Sequence, residues 1–188
     1  MTARLVAAAL AVSLGALAVR AQDHPYKNVK VDDFVTYKVN LSVGALKLDG
    51  TATQTVVKKD DKEVTVRVVA NYSGVDAPAQ EQKIDLTKPY DPTRIGGGLP
   101  PGTDAKVEKL KDEKVKYKAG KDNREYDCVL TTYKMKAKSA GQDIDAEVKV
   151  WDSKDAPMGL VKVQMEGTVA GMKSAMTMEL LEAGGKKQ

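Results

Sequence analysis

The densest group of reactive side chains lies at residues 147–159, EVKVWDSKDAPMG. The only tryptophan, Trp151, is followed by Asp152, Ser153, Lys154 and Asp155, and then by Pro157 and Gly159. Two carboxylates, a hydroxyl and an amine beside an indole could form a small reaction centre or a cation site. The same residue types also end a strand and turn the chain, because Asp and Ser bond their own backbone and Pro and Gly break a ladder. Lys154 opposes a cation at that point, and the stretch lacks the alternating oxygens and glycine of a calcium loop. The turn between two strands is therefore the expectation. Trp151 then points away from the row Val148 and Val150, or sits at a bulge where the ladder ends.

Other chemistry is sparse. The one histidine, His24, lies close to the N-terminus, so no Ser–His or Cys–His pair is assembled within the body of the chain. The expectation is a protein that is not an enzyme and has no cofactor. The one cysteine, Cys128, has no partner for an intramolecular disulfide and sits in a β-like run, where a buried inert thiol is expected. No HExxH or CxxC spacing marks a metal site. The stretch IGGGLPPG at 95–102 is rich in glycine but lacks the Lys-Ser/Thr ending of a phosphate-binding loop. Methionine is the anomaly: apart from Met1, every one falls after residue 134. Thioethers can bind Cu(I), but they also fill cores and line pockets that accept varied apolar ligands. Met135, Met165, Met176 and Met178, with Val148 and Val150, are the residues expected to line such a ligand site.

The elements that must position these residues are strands. Val35, Tyr37, Val39, Leu41 and Val43 alternate with polar residues, which puts one face inward. A second run covers 46–57, and a third carries Val64, Val66, Val68 and Ala70, so the chain opens as a meander. Residues 73–82 are expected as a loop and 83–86 as a short strand. Residues 87–105, TKPYDPTRIGGGLPPGTDA, are expected to be irregular, since proline cannot donate to a ladder and glycine loosens one. Short strands are expected at 106–110 and 114–119, the rival being a short helix around 104–112. Long strands return from about 124 to 138, then through Ile144–Val150, Val161–Met165 and Met176–Leu180.

The expected fold class is all-β with little helix: a single antiparallel, strongly curled sheet of about eight to ten strands, forming a half-barrel or unclosed barrel. A sheet of that size curls, and without helices to cover its apolar face it must fold upon itself.

The chain begins MTARLVAAALAVSLGALAVRAQD, with Arg4 ahead of an apolar run from Leu5 to Val19 and small residues at Ala16, Ala18 and Ala21. That is the layout of a secretory signal peptide, here 1–21, with an alanine-rich core of bacterial character. The run is too short to span a bilayer core. A polar, loosely held mature N-terminal arm at 22–31, a β domain over 32–183 and a frayed tail at 184–188 complete the organisation. Loss of Arg4 and Arg20 leaves 28 basic against 26 acidic residues, a mature net charge of about +2. The charges are interspersed and aromatic residues make up only 5% of the chain, which excludes a basic stripe or stacking platform for nucleic acid. No second apolar segment is long enough to cross a membrane.

The segment EVKVWDSKDAPMGLVKVQMEGTVAGMKSAMTMEL has a layout of its own: a strand ending in Val150-Trp151-Asp152, a turn carrying Pro157, a strand to the Gly167–Gly171 hairpin, and a returning strand. Over about the last 50 residues this resembles LolA/LolB-like periplasmic proteins, the unclosed β-barrels that carry lipoproteins, and related lipid-binding envelope proteins. The resemblance implies an exported protein, periplasmic or secreted, that binds a lipid or another hydrophobic small molecule. The alternative is a structural or protein-interaction module of the cell envelope whose concave face is filled by side chains and whose partner is another envelope protein.

Overall fold

The computed structural model describes residues 24–90, 104–139 and 142–185. The segment expected as a signal peptide, most of the Gly/Pro-rich stretch and the last three residues lie outside the described residues. A single 3-10 turn, Pro25–Lys27, precedes ten strands. These are β1 (Phe34–Val43), β2 (Leu46–Lys59), β3 (Glu63–Tyr72), β4 (Val75–Asp76), β5 (Gln80–Asp85), β6 (Asp104–Ala119), β7 (Arg124–Ser139), β8 (Gln142–Asp152), β9 (Leu160–Val169) and β10 (Met172–Gly184). All pair antiparallel in one sheet, in the order β4-β3-β2-β1-β10-β9-β8-β7-β6, with β5 beside β4 on the same edge of β3. The expected all-β unclosed barrel is therefore the fold of the chain.

Two meanders meet where the first long strand pairs with the last. Tyr37 lies opposite Leu180 and Val39 opposite Met178. The alternating residues of β1 thus continue across the sheet as one apolar row, Val39–Met178–Val163–Val150. With Val35, Tyr37, Val56, Val64 and Val66 this face forms the core, and all five are almost fully buried. Period-two alternation places the apolar side chains on one face, and curling of the sheet buries them. The curl demands a close approach at Gly167, opposite Ala146. A Cβ there would fall within van der Waals distance of the Asp145 carbonyl and Ala146 Cα.

The sheet stays open as a ladder, yet one end comes round upon itself. At the β6–β7 turn, the amides of Gly120 and Lys121 donate to the carbonyls of Leu180 and Leu181 in β10, at 3.0 and 2.8 Å. Lys121 and Glu182 add an ion pair there. Below the turn, Tyr117 of β6 donates to Glu179 Oε2 at 2.8 Å and accepts from Lys162 Nζ at 2.8 Å.

Three local expectations are corrected. The stretches at 106–110 and 114–119 are one strand, β6, which also takes in positions 104 and 105. No helix forms at 104–112; that stretch is a ladder against β7 with an irregularity between Lys109 and Lys111. The shift of register there breaks the alternation on which strand recognition depends. The loop expected at 73–82 holds β4 and the start of β5, both short edge segments with exposed side chains.

Candidate functional site

The β8–β9 connection is a tight loop with its own hydrogen bonds. Ser153 N donates to Gly159 O at 2.8 Å, Ala156 N to Ser153 O at 3.2 Å and Gly159 N to Ala156 O at 3.0 Å. Ser153 Oγ accepts from Asp155 N at 3.3 Å. Met158 and Gly159 both take positive φ, 56° and 85°. So far this is the turn that the residue types predict. Its burial is the unexpected part: Asp152, Ser153, Ala156 and Met158 are all buried.

What buries them comes from elsewhere in the chain. The N-terminal arm is docked rather than loose. Tyr26 enters the core and its hydroxyl donates to Gln54 Oε1 at 3.1 Å. Lys59 Nζ, on β2, donates to the carbonyls of Lys27 and Val29 at 2.5 and 2.8 Å. Pro25 then packs directly on Gly159, where a Cβ would lie 2.7 Å from Pro25 Cβ and 2.8 Å from its Cγ. Past the end of β5, Tyr90 completes the enclosure. Its hydroxyl donates to Asp152 Oδ1 at 3.4 Å, and its ring meets His24 edge-on with centroids 5.5 Å apart.

Between the arm, the loop and the end of β10 lies a pocket of about 510 Å³. Phe34, Ala156, Met158 and Ala183 supply apolar wall, and Asp152, Tyr90, Asp33 and Lys154 supply polar atoms. That volume falls in the range of sites for small molecules, and the wall is about equally polar and apolar.

The electrostatics follow from burial. Asp152 is 7% exposed, and desolvation pushes its carboxyl up to about 7, with the Tyr90 hydrogen bond pulling weakly the other way. A charge away from water is costly unless paired, and a 3.4 Å hydroxyl contact is a long one. Burial raises Tyr90, Tyr37 and Tyr26 above the ordinary phenol range, so all three act as hydroxyl donors. His24 is lowered, first by burial and then by Lys27. The neutral ring is consistent with Nδ1 accepting the Tyr26 amide at 3.4 Å. The Cys128 thiol is buried, held up to about 11 by desolvation, and contacts the Tyr126 carbonyl at 3.6 Å. Among the described residues no group of three or more His, Cys, Asp or Glu is placed to hold a metal ion.

The ligand-lining residues expected from the sequence do share a face. Val148 pairs with Met165, Met165 with Met176, and Val150 and Met178 both with Val163. Met135 stands beside Ala146 in the same sheet. Val150, Val148, Met135 and Met178 are buried in the core cluster, with Met165 and Met176 packed against it, and none of the six borders the 510 Å³ pocket. Sequence reasoning missed His24, Pro25 and Tyr90, and it read Asp152 as part of a turn. Trp151 lies on the opposite face from Val150 and also at a ladder irregularity, between Trp151 and Asp152.

No protein-family model and no curated relative matches the chain. Among solved structures, it is similar to a protein of Bacteroides fragilis, considered exported, with a YmcC-like fold: TM-score 0.52, 12% identity, 82% of this chain and 96% of that one. The fold resembles the YmcC-like one. A protein of Parabacteroides distasonis considered a lipoprotein aligns over the same shares of the two chains, at a TM-score of 0.47 and 14% identity. At these identities the YmcC-like likeness concerns fold alone. No helix among the described residues is long and apolar enough to cross a membrane.

Gly159 tests how the site is assembled. Gly159→Ala places a side chain at φ 85° and against Pro25. The expected outcome is a loss of about 2 kcal/mol in chemical denaturation, within the usual range for backbone strain of this kind. It should also bring faster proteolysis of the arm. Unchanged stability and an equally protected arm would show that Pro25 is not seated on the loop.

Proposed function

We propose that the chain is an exported envelope protein that holds a small apolar or amphiphilic molecule in the pocket between the N-terminal arm and the β8–β9 loop, without catalysis. The observation that carries this reading is the pocket itself: about 510 Å³, with a wall that is about half apolar and half polar, and a buried carboxyl and hydroxyl at one place. The signal-peptide layout of 1–21 supports export. The likeness of the last 50 residues to LolA/LolB-like carriers supports an apolar or lipid-like occupant. This pocket lies apart from the methionine-rich face expected from the sequence, whose residues belong to the core cluster or pack against it.

The test is direct. Protein purified from its native compartment is extracted with organic solvent and the extract analysed by mass spectrometry, and the stripped protein is titrated with a fluorescent fatty acid. Saturable uptake at one site is expected, with loss of uptake in Ala183→Trp, which fills the pocket from its exposed rim. An empty extract with no uptake would sink the reading. It would leave the second one, an envelope interaction module, which the filled methionine-rich face favours.

A further inference from the structure

We propose that the pocket selects an occupant with a protonated amine head, which Asp152 receives while the apolar portion lies along Phe34, Ala156 and Met158. This rests on the reading of the pocket given above and names the class of molecule it takes.

The argument begins with what Asp152 lacks. It is 93% buried, yet among the described residues its one hydrogen-bond partner is Tyr90, at 3.4 Å on Oδ1. Among the described residues no hydrogen bond reaches Oδ2, and Asp152 is part of the pocket wall. An ionised carboxylate has about four acceptor positions. A buried one normally has them filled, since an unmet charge away from water is costly.

The buried donors around it are engaged elsewhere or are neutral. Tyr37 donates to Leu160 O at 3.4 Å, Tyr26 to Gln54 and the Cys128 thiol to Tyr126 O. His24 accepts the Tyr26 amide on Nδ1, and its ring stands against Tyr90 outside the pocket wall. Ser153 N bonds Gly159 O, and its Oγ accepts from Asp155 N while keeping its own proton as a neutral donor. The remaining charged groups of the pocket wall are Asp33 and Lys154. Asp33 has Oδ2 occupied by Lys30 N at 2.7 Å, and Lys154 is exposed. A carboxylate-bearing occupant would therefore meet two carboxyl groups, Asp152 and Asp33, with one exposed lysine to offset them. An ammonium head supplies three donors and a charge of the missing sign. The volume far exceeds such a head, so the rest of the occupant is apolar and lies against the wall.

The experiment uses the full mature chain and three probes of equal chain length: n-decylamine, n-decanol and decanoate. Affinities are measured directly by isothermal titration calorimetry at pH 8. Decylammonium is expected to bind about tenfold tighter than decanol, the effect of one hydrogen bond to a charged group, and decanoate to bind weakest. Its advantage over decanol should shrink at pH 6, where Asp152 takes up a proton while the amine stays charged. Asp152→Asn should bring decylamine to within about twofold of decanol and leave decanol unchanged. Tyr90→Phe should keep the preference, because it removes a donor to Asp152 and not the carboxylate. The preference in the unaltered protein is itself decisive if the asparagine variant does not fold. Equal affinity for all three probes, tighter decanoate, or a preference retained in Asp152→Asn would overturn the proposal while leaving the pocket reading intact. Binding of none of the three would overturn both.

Discussion

Replacing Asp152 with asparagine is expected to stabilise the ligand-free protein at pH 8 and to change it little at pH 4. The sign follows from the direction of the shift. Burial raises the folded-state carboxyl from 3.8 to about 7. Below pH 3.8 the group is protonated in both states and costs nothing. As pH rises from there, the unfolded chain ionises first, so stability falls until the folded carboxyl also ionises near 7, and is level beyond. A shift of that size corresponds to a ceiling of roughly 4 kcal/mol. Asparagine keeps the shape of the side chain and an acceptor for Tyr90, and it carries no charge to desolvate. Thermal unfolding at one-unit steps from pH 4 to pH 8 checks this. The variant should gain on the unaltered protein across the window, by roughly 10 °C at pH 8 for a chain of this size. Other groups shift too: Asp60 and Asp85 are lowered by hydrogen bonds and His24 by burial. They are common to both proteins, so they cancel in the difference. Parallel curves would mean that water or a structural partner already satisfies Asp152. Saturation with decylamine should narrow the gap, because the cation returns to the native carboxylate the interaction it lacks.

The fold was legible in the sequence wherever one face of a strand is buried and the other is wet. Val35, Tyr37 and Val39, or Val148 and Val150, announce both strand and inward face. The same rule fails on β6, where charged residues stand on both faces and the register slips between Lys109 and Lys111. Neighbouring strands pair with their neighbours in sequence, so both meanders were readable. The pairing of β1 with β10 joins residues about 140 positions apart and leaves no local mark. The site divides in the same way. Asp152, Ser153, Pro157 and Gly159 spell a turn, and a turn is what they form. Their burial depends on Pro25 and His24 from one end of the chain and on Tyr90 from its middle. The composition of a turn predicts its backbone and says nothing of what is laid over it. His24-Pro25 reads as a loose polar arm because nothing local reveals that Tyr26 and Val29 are anchored in the core. The methionines were a true signal of position and an ambiguous one of role: they share a face, and packing fills it.

Trp151→Ala is expected to lower stability by about 3–5 kcal/mol, the usual cost of truncating a large buried aromatic. Trp151 is nearly fully buried on the face opposite the methionine row. It stands in one cross-strand row with Lys162 and Glu179. Tyr117 of β6 comes over that row, with its ring 5.8 Å from the indole. The Lys162 ammonium lies 4.8 Å from the tyrosine ring centroid and 5.2 Å from the indole. It also bonds the Tyr117 hydroxyl and pairs with Glu179 at 3.5 Å. The indole is thus the floor on which the β6–β7 hairpin rests as the end of the sheet comes round to β10. Truncation leaves a cavity, deprives the ammonium of one ring, and frees Tyr117 from its support. The loss should reach beyond the cavity, because the turn amides of Gly120 and Lys121 hold β10 only while the hairpin lies in place. Two measurements separate these effects. Hydrogen exchange at Gly120 and Lys121 should quicken in Trp151→Ala more than exchange in β1 and β2. A double-mutant cycle with Tyr117→Phe should return a coupling of about 1 kcal/mol or more, as for residues in one network. The pocket borders Asp152 but not Trp151, so affinity for the fluorescent fatty acid should be nearly unchanged at a temperature where the variant is folded. Stability within a few tenths of a kcal/mol of the unaltered protein together with lost uptake would assign Trp151 to binding and remove it from the support of the hairpin.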